Sequence, residues 1–144
     1  MEGMNNNSII DELKLAGVRP SSARILTLKY LRENRNHPTI EQVYNGLLGS
    51  LPGLSRTSVY NTMNTLEGKG LVRTLSIDGA ETRYDATVYN HGHFKCESCG
   101  AIFDFDTEGM ESVRSIPPGF IPRRQDIIVR GLCKDCARKA KYRQ

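Results

Sequence analysis

The sequence has no tryptophan, only three histidines and four cysteines among its 144 residues, and no long apolar run. A membrane-spanning helix needs about 20 consecutive apolar residues, so the sequence predicts none and no membrane partner is expected. The N-terminal segment 1–8 is polar and lacks the basic start and apolar centre of a secretory signal peptide. We therefore expect a cytoplasmic protein, in a compartment where thiols stay reduced and disulfides are uncommon.

A strong excess of one charge sign is also missing. The chain has 20 lysine and arginine residues against 16 aspartate and glutamate residues, which gives a net charge of +4. A balance this mild does not by itself indicate a nucleic-acid partner, because many soluble proteins are as basic. A prediction of DNA binding must therefore rest on how residues are arranged along particular helices.

The first half of the chain has the apolar periodicity of helices. An apolar set after Ser8 predicts a first helix, and Ser21 or Ser22 can cap a second helix that runs to about residue 34. Thr39 and Gln42 have the spacing of a capping box at the start of a third helix.

A fourth helix and a hairpin complete this half. Ser55 can cap the fourth helix, which runs to about residue 68. Short strands are predicted at 71–77 and 82–84, around a turn at 78–80. Helices followed by such a hairpin have the outline of a winged helix-turn-helix domain.

The second half mixes strands with helices. Three strands are predicted, at 93–95, 101–106 and 125–129. Two helices are predicted, at 108–115 and 135–142. The predicted fold is therefore α+β: an N-terminal winged helix-turn-helix domain followed by a small α/β domain. Its limits are 1–86 for the first domain, 87–91 for a hinge and 92–144 for the second domain.

The four cysteines form two Cys-x-x-Cys pairs. Each pair can direct two thiolates at one point, and two pairs complete a tetrahedron around Zn²⁺. Disulfides fit an expected cytosolic chain poorly, and a redox dithiol is disfavoured because neither pair opens a helix of a βαβ unit. A tetrathiolate iron site remains an alternative. We expect one structural zinc ion per subunit, bound by Cys96, Cys99, Cys133 and Cys136.

The histidines suggest a second group of ligands. His91 and His93 begin a predicted strand with both rings on the same side. Asp85 lies upstream, Asp104 lies on the next predicted strand, and His37 precedes the third helix. Spacing alone leaves two interpretations open, either ordinary loop and strand residues or a second metal site. Imidazoles with two carboxylates suit Fe²⁺, Mn²⁺ or Zn²⁺ at about five- or six-coordination.

The fourth helix has an apolar and a polar face. Val59, Met63 and Leu66 share the apolar face and should be core. An ordinary amphipathic helix would have the same two faces. The position of the fourth helix, between a capped turn and a predicted hairpin, nevertheless favours DNA recognition. The polar face carries side chains able to contact base edges and phosphates: Arg56, Thr57, Tyr60, Asn61 and Asn64.

Five motifs together resemble the ferric uptake regulator superfamily of bacterial metal-dependent repressors, over nearly the whole chain. They are Gly17-Val18-Arg19, His37-Pro38-Thr39, Ser58-Val59-Tyr60-Asn61, Gly70-Leu71-Val72 and the run from His91-Gly-His93 to Cys96-Glu-Ser-Cys99-Gly100. The resemblance adds Arg19 and Ser58 to the expected DNA contacts. It implies a homodimer that binds a palindromic double-stranded DNA operator. The winged helix-turn-helix domain is then the DNA-binding domain, and the α/β domain with its structural zinc site is the dimerisation domain.

The resemblance is strongest to the peroxide-sensing branch of the superfamily, the PerR regulators. Those proteins carry a regulatory Fe²⁺ or Mn²⁺ site of three histidines and two aspartates. Iron-sensing members commonly have glutamate where Asp104 stands, and often a histidine where this chain has Arg123 and Arg124. The matching ligands for one regulatory ion per subunit are His37, Asp85, His91, His93 and Asp104.

The resemblance also implies a mechanism. A metal bound by ligands from both domains fixes the spacing of the two recognition helices of a dimer and so favours DNA binding. Peroxide reacts at bound Fe²⁺ and oxidises His37 or His91 to 2-oxo-histidine, which weakens metal binding and releases the repressor. Mn²⁺ supports DNA binding without this sensitivity.

Three other functions stay open at this point. The first is an iron- or other metal-responsive uptake repressor of the same superfamily. The second is a non-haem iron enzyme, but the sequence has no recognisable nucleophile or acid motif, so we expect no enzymatic activity. The third is a zinc-ribbon interaction module, whose partner binding would not depend on Arg56 and Tyr60.

Overall fold

The computed structural model describes four stretches of the chain: 5–76, 81–86, 91–107 and 116–142. The predicted turn at 78–80 and the predicted helix at 108–115 lie outside these stretches. The chain divides into two compact units, Met1–Val88 and Tyr89–Gln144.

The division falls within the predicted hinge, 87–91. Because residues 87–90 are outside the described stretches, the hinge and the domain limits 1–86 and 92–144 stay predictions.

Four helices make up most of the first unit: α1, Asn6–Leu15; α2, Ser22–Glu33; α3, Ile40–Leu47; and α4, Arg56–Gly68. The side chain before each helix accepts a hydrogen bond from a backbone N–H of the first turn, as N-caps do. These caps are Asn5, Ser21, Thr39 and Ser55.

The helix starts predicted from Thr39 and Ser55 are confirmed. At α3 the Gln42 N–H donates to Thr39 Oγ1 at 3.2 Å, and the Thr39 N–H donates to Gln42 Oε1 at 3.0 Å, which completes the capping box. The first helix, predicted from the apolar set after Ser8, is confirmed as α1. The helix begins before Ser8, because Asn5 Oδ1 accepts from the N–H of Asn7 at 3.0 Å and caps it there.

One apolar core joins the four helices. Apolar residues three or four apart on each helix are buried, which is the pattern of helices with one face toward a core. The predicted apolar face of α4 belongs to this core. Its members from the four helices are Ile9, Leu13, Leu28, Leu31, Val43, Leu47, Val59, Met63 and Leu66.

A two-stranded antiparallel sheet follows α4. Its strands are β1, Arg73–Leu75, and β2, Arg83–Asp85. The predicted first strand was too long at its start, because Leu71 and Val72 are buried in the helical core instead of pairing in the sheet. Helices followed by this hairpin form the predicted winged helix-turn-helix fold.

The second unit is built on a three-stranded sheet. Its strands are β3, Gly92–Cys96; β4, Ile102–Phe105; and β5, Ile127–Gly131, in the order β4-β3-β5. β3 runs antiparallel to β4 and parallel to β5. β5 begins two residues later than predicted, because its register with β3 runs from Ile127 opposite Gly92 to Gly131 opposite Cys96. Helix α5, Lys134–Tyr142, follows β5.

The strand register gives this sheet two different faces. His93 lies directly opposite Asp104, whereas Phe94 lies opposite both Phe103 and Val129. Neighbouring residues of a strand point to opposite faces. One face therefore carries imidazole and carboxylate groups, and the other carries a row of apolar side chains.

The helices of the described stretches are short. They range from 8 residues in α3 to 13 residues in α4. Among them no helix has the length and apolarity that a membrane span requires.

Candidate metal centres and recognition helix

The four cysteines meet at one place in the second unit. Cys96 ends β3, Cys99 follows in a turn, Cys133 precedes α5, and Cys136 lies in the first turn of that helix. Their Sγ atoms lie within 4.8 Å of one another, with those of Cys99 and Cys133 3.9 Å apart. Tetrahedral zinc with Zn–S bonds of about 2.3 Å places two sulfurs about 3.8 Å apart. The cluster therefore fits one structural zinc ion.

Backbone N–H groups shape the cluster around Cys96. The N–H groups of Cys133 and Cys99 donate to Cys96 Sγ at 3.3 and 3.5 Å. These donors lower the pKa of Cys96 to about 6, which favours the thiolate that zinc binds. Gly100 has a φ of +78°, in the left-handed region, and its N–H donates to the Cys96 carbonyl at 3.0 Å.

On the polar face of the sheet, His91, His93 and Asp104 contact one another. Asp104 Oδ1 is 2.8 Å from His93 Nδ1 and 3.7 Å from His91 Nε2. The two imidazole rings meet edge to face with centroids 4.5 Å apart, and both are buried. A cavity of about 250 Å³ beside them is lined by His91, Asp104, Phe105 and Asp106. A small molecule can therefore approach these groups.

Gly92, between the two histidines, has a role that the sequence analysis missed. It lies opposite Phe105 on β4, and a Cβ at position 92 would be 2.2 Å from the Phe105 ring. Only glycine lets this ring pack across β3 while both histidines keep to the other face. The available signal was a glycine inside a predicted strand, which often marks such a close approach.

The first unit brings His37 and Asp85 together. His37 Nε2 lies 3.7 Å from Asp85 Oδ2, and both side chains are buried. The strand that ends at Asp85 also fixes the backbone around His37. The Tyr84 N–H donates to the Pro38 carbonyl at 3.0 Å, and Arg83 Nη1 donates to the His37 carbonyl at 3.4 Å. His37 has a φ of +55°, a conformation uncommon for a residue other than glycine.

All five side chains predicted for the regulatory metal thus have another member of the set beside them. Two are paired in the first unit and three are grouped in the second. Imidazole nitrogens and carboxylate oxygens are suitable ligands for Fe²⁺ or Mn²⁺. Each group therefore offers donor atoms that suit such a metal, and the assignment of each residue as a ligand stays a prediction.

The predicted DNA contacts lie mainly on the solvent side of α4. Tyr60 is 53% exposed, and Ser58 is half-buried. Arg19 is exposed between α1 and α2, where its carbonyl accepts from Arg24 Nη1 at 2.8 Å. The other exposed members on α4 are Arg56, Thr57, Asn61 and Asn64.

Arg56, the first residue of α4, is bound by side chains of α3. Its Nε and Nη2 donate to the two carboxylate oxygens of Glu41 at 2.7 and 2.8 Å, and its Cζ lies 4.5 Å from the ring centre of Tyr44. The paired hydrogen bonds lower the pKa of Glu41 and raise that of Arg56. The sequence analysis missed Glu41 and Tyr44, which stand three residues apart and so share one face of α3.

Comparisons with known proteins agree with the motifs. The model of the ferric uptake regulator family matches residues 15–117. The peroxide operon regulator of Bacillus subtilis is 32% identical over 136 residues, which cover 92% of this chain and 94% of that protein. The peroxide-responsive repressor PerR of Staphylococcus epidermidis is 30% identical over 130 residues, covering 88% of this chain and 87% of that protein.

A solved structure gives the same result. The crystal structure of the Campylobacter jejuni peroxide stress regulator matches with a TM-score of 0.66 and 26% identity, covering 92% of this chain and 100% of that one. The fold, the motifs and these matches agree over most of the chain. The chain therefore belongs to the ferric uptake regulator family.

Proposed function

We propose that the chain is a metal-dependent, DNA-binding transcriptional repressor that senses hydrogen peroxide and controls peroxide-stress and metal-homeostasis genes. The observation that carries the proposal is the contact of His91 and His93 with the aspartate Asp104 beside an accessible cavity. Relatives described as peroxide regulators in three bacteria support it.

The proposed regulatory site holds one Fe²⁺ or Mn²⁺ ion per subunit. When bound, Fe²⁺ supplies the electron that cleaves the O–O bond of peroxide, whereas Mn²⁺ does so poorly. In the net reaction, H₂O₂ would be the two-electron oxidant: one of its oxygen atoms is added to the imidazole of His37 or His91 and the other leaves as water. The oxidised ring is a poorer ligand. The proposed ligands come from both units. Loss of one ligand therefore weakens metal binding, and the metal then stabilises the DNA-binding conformation less. The proposed ligands are His37, Asp85, His91, His93 and Asp104.

A homodimer is the proposed assembly, and the apolar face of the sheet supports it. Phe103, Val129 and Leu132 are 47%, 42% and 43% exposed, and a groove of about 530 Å³ runs between Phe103 and Leu132. Apolar side chains clustered on a surface favour burial against a partner. Two copies related by a two-fold axis would present two α4 helices to a palindromic operator.

The test is the affinity for an operator duplex with Mn²⁺ and with Fe²⁺, each before and after peroxide. Both metals should support binding, and peroxide should release only the Fe²⁺ form. Fe²⁺-loaded protein that stays on DNA after peroxide would instead identify an iron-responsive uptake repressor.

Mass spectrometry gives the second readout. Trypsin releases His37 in peptide 36–56, and both His91 and His93 in peptide 84–95; neither peptide contains methionine or cysteine. An added oxygen atom on either peptide can therefore not come from oxidised sulfur. We expect it in the Fe²⁺ form and not in the Mn²⁺ control. Release of DNA with both peptides unmodified would contradict histidine oxidation.

A further inference from the structure

At the start of α4, the arginine proposed to face DNA is bound by an acidic side chain. Arg56 and Glu41 form a two-point ion pair although their side chains are 61% and 53% exposed. Exposed ion pairs add little to stability, because water screens them and ordering two long side chains costs entropy. The apolar core that α3 and α4 share already holds the two helices together. The ion pair therefore has little to do as a structural link.

The geometry of the pair leaves one edge of the guanidinium available. An arginine has five N–H groups arranged in a rigid planar fork. Glu41 takes the edge formed by Nε and Nη2. The other edge, formed by Nη1 and the second hydrogen of Nη2, lies on the side away from Glu41. Guanine presents O6 and N7 in the major groove, and two such N–H groups match them.

Glu41 also changes which part of DNA suits Arg56. Its carboxylate offsets the arginine charge and repels phosphates, so the pair is a poor contact for the DNA backbone. Tyr44 restricts the guanidinium plane further by lying under it. Glu41 and Tyr60 line one cavity of about 280 Å³, which places the pair beside the exposed side of α4.

We propose that Arg56 reads a guanine in each operator half-site and that Glu41 and Tyr44 are positioning residues that orient it. The N-terminal residues of a recognition helix are the ones that contact base edges. The inference rests on the proposed DNA-binding function and adds a base preference at the position facing the start of α4.

The test begins by selecting duplexes from a randomised double-stranded DNA pool with Mn²⁺-loaded wild-type protein. If no duplex is enriched, the proposed function itself is wrong, whatever Arg56 does. Each G·C pair of the selected half-site is then replaced in turn by A·T, and affinities are measured for the wild type, Arg56→Lys and Glu41→Gln. Glu33→Gln, which removes an equal charge at an exposed position of α2, is the matched control.

The wild type should lose about tenfold or more affinity at one guanine per half-site. Arg56→Lys keeps the charge but lacks the planar fork, so it should weaken the preference at that guanine only. Glu41→Gln should reduce the same preference by about threefold or more and bind an unrelated duplex more tightly. Tyr44→Phe should retain the preference and Tyr44→Leu should weaken it, while Glu33→Gln matches the wild type.

The proposal is wrong if Arg56→Lys or Glu41→Gln discriminates every guanine as the wild type does. If the ion pair of Arg56 and Glu41 were only a structural link between α3 and α4, Glu41→Gln would leave the base preference unchanged. If Arg56 instead contacted a phosphate, losing that contact would lower the affinity for all duplexes alike and reduce the dependence of binding on salt. Thermal unfolding without DNA checks that each variant is folded.

Discussion

At the scale of single residues, the absence of a side chain at position 92 controls how β3 presents its two histidines. Gly92 has the Phe105 ring against it on one face of the sheet, while His91 and His93 occupy the other. Interiors are packed densely enough that one added methyl group is felt. If Gly92 is replaced by a larger residue, either the Phe105 ring or strand β3 must therefore move.

The first prediction concerns Gly92→Ala. We expect it to destabilise the second unit by about 1–3 kcal/mol, because the new Cβ would overlap the Phe105 ring. Denaturant unfolding of the zinc-loaded protein measures the loss. Adding Phe105→Leu should restore part of it by making room, and Gly49→Ala, where nothing lies within 4 Å, is the control. A Gly92→Ala protein as stable as the wild type would contradict the packing argument.

The second prediction concerns Asp104→Asn. In the wild type Asp104 Oδ1 is 2.8 Å from His93 Nδ1, which leaves Nε2 of that ring for a metal. An amide lacks the negative charge with which Asp104 serves as a proposed ligand and raises the basicity of His93, so Mn²⁺ affinity should fall by about 10- to 100-fold. Metal titration measures the affinity, and zinc content should not change. Asp106→Asn, in the same cavity, should cost much less; equal losses would remove the special role of Asp104.

At the scale of elements, sequence reasoning succeeded where the signal is local. Ser55 and Thr39 start their helices as predicted, because a cap needs only a neighbour three residues away. The start of β5 was misplaced because its register is set by β3, about 35 residues earlier in the chain. The contact of Glu41 with Arg56 was missed for the same reason, since it joins two helices and depends on how they pack.

The candidate sites follow the same rule. The cysteine cluster could be predicted because each Cys-x-x-Cys pair is a local turn and zinc accepts little besides a tetrahedron. The contacts of His93 with Asp104 and of Gly92 with Phe105 depend on pairing between β3 and β4, which spacing along the chain does not specify. Family resemblance proposed His93 and Asp104 as ligands of one metal, and the register explains how these two residues meet.

The third prediction follows from the two faces of the sheet. Phe103 lies on the apolar face, opposite Phe94 and away from the row that carries His93. Phe103→Ser should therefore shift the protein from dimer to monomer while leaving zinc content and the fold of the second unit intact. Sedimentation velocity measures the change. Leu15→Ser, at a 90% exposed apolar residue of α1, is the control. A Phe103→Ser dimer as tight as the wild type would place the interface elsewhere.

At the scale of the whole molecule, the two metals differ in which units supply their ligands. The zinc ligands all lie in the second unit, where they join the end of β3 to the start of α5. Within the described stretches, the large buried apolar cluster belongs to the first unit, whereas the strands of the second contribute fewer buried side chains. A small unit with little core depends on its metal for folding energy. The proposed regulatory ligands, in contrast, come from both units.

The fourth prediction compares removal of each metal. Loss of zinc, by Cys136→Ser or a strong thiol-competing chelator, should unfold the second unit and abolish the dimer while α1–α4 stay folded around their own core. Loss of Fe²⁺ or Mn²⁺, by a mild chelator, should release DNA from a dimer that stays folded. Hydrogen exchange distinguishes the cases, because amides of β3 and β5 lose protection only without zinc. Protected strands in zinc-free protein would mean that the second unit folds without its metal, and zinc would then act on dimerisation alone.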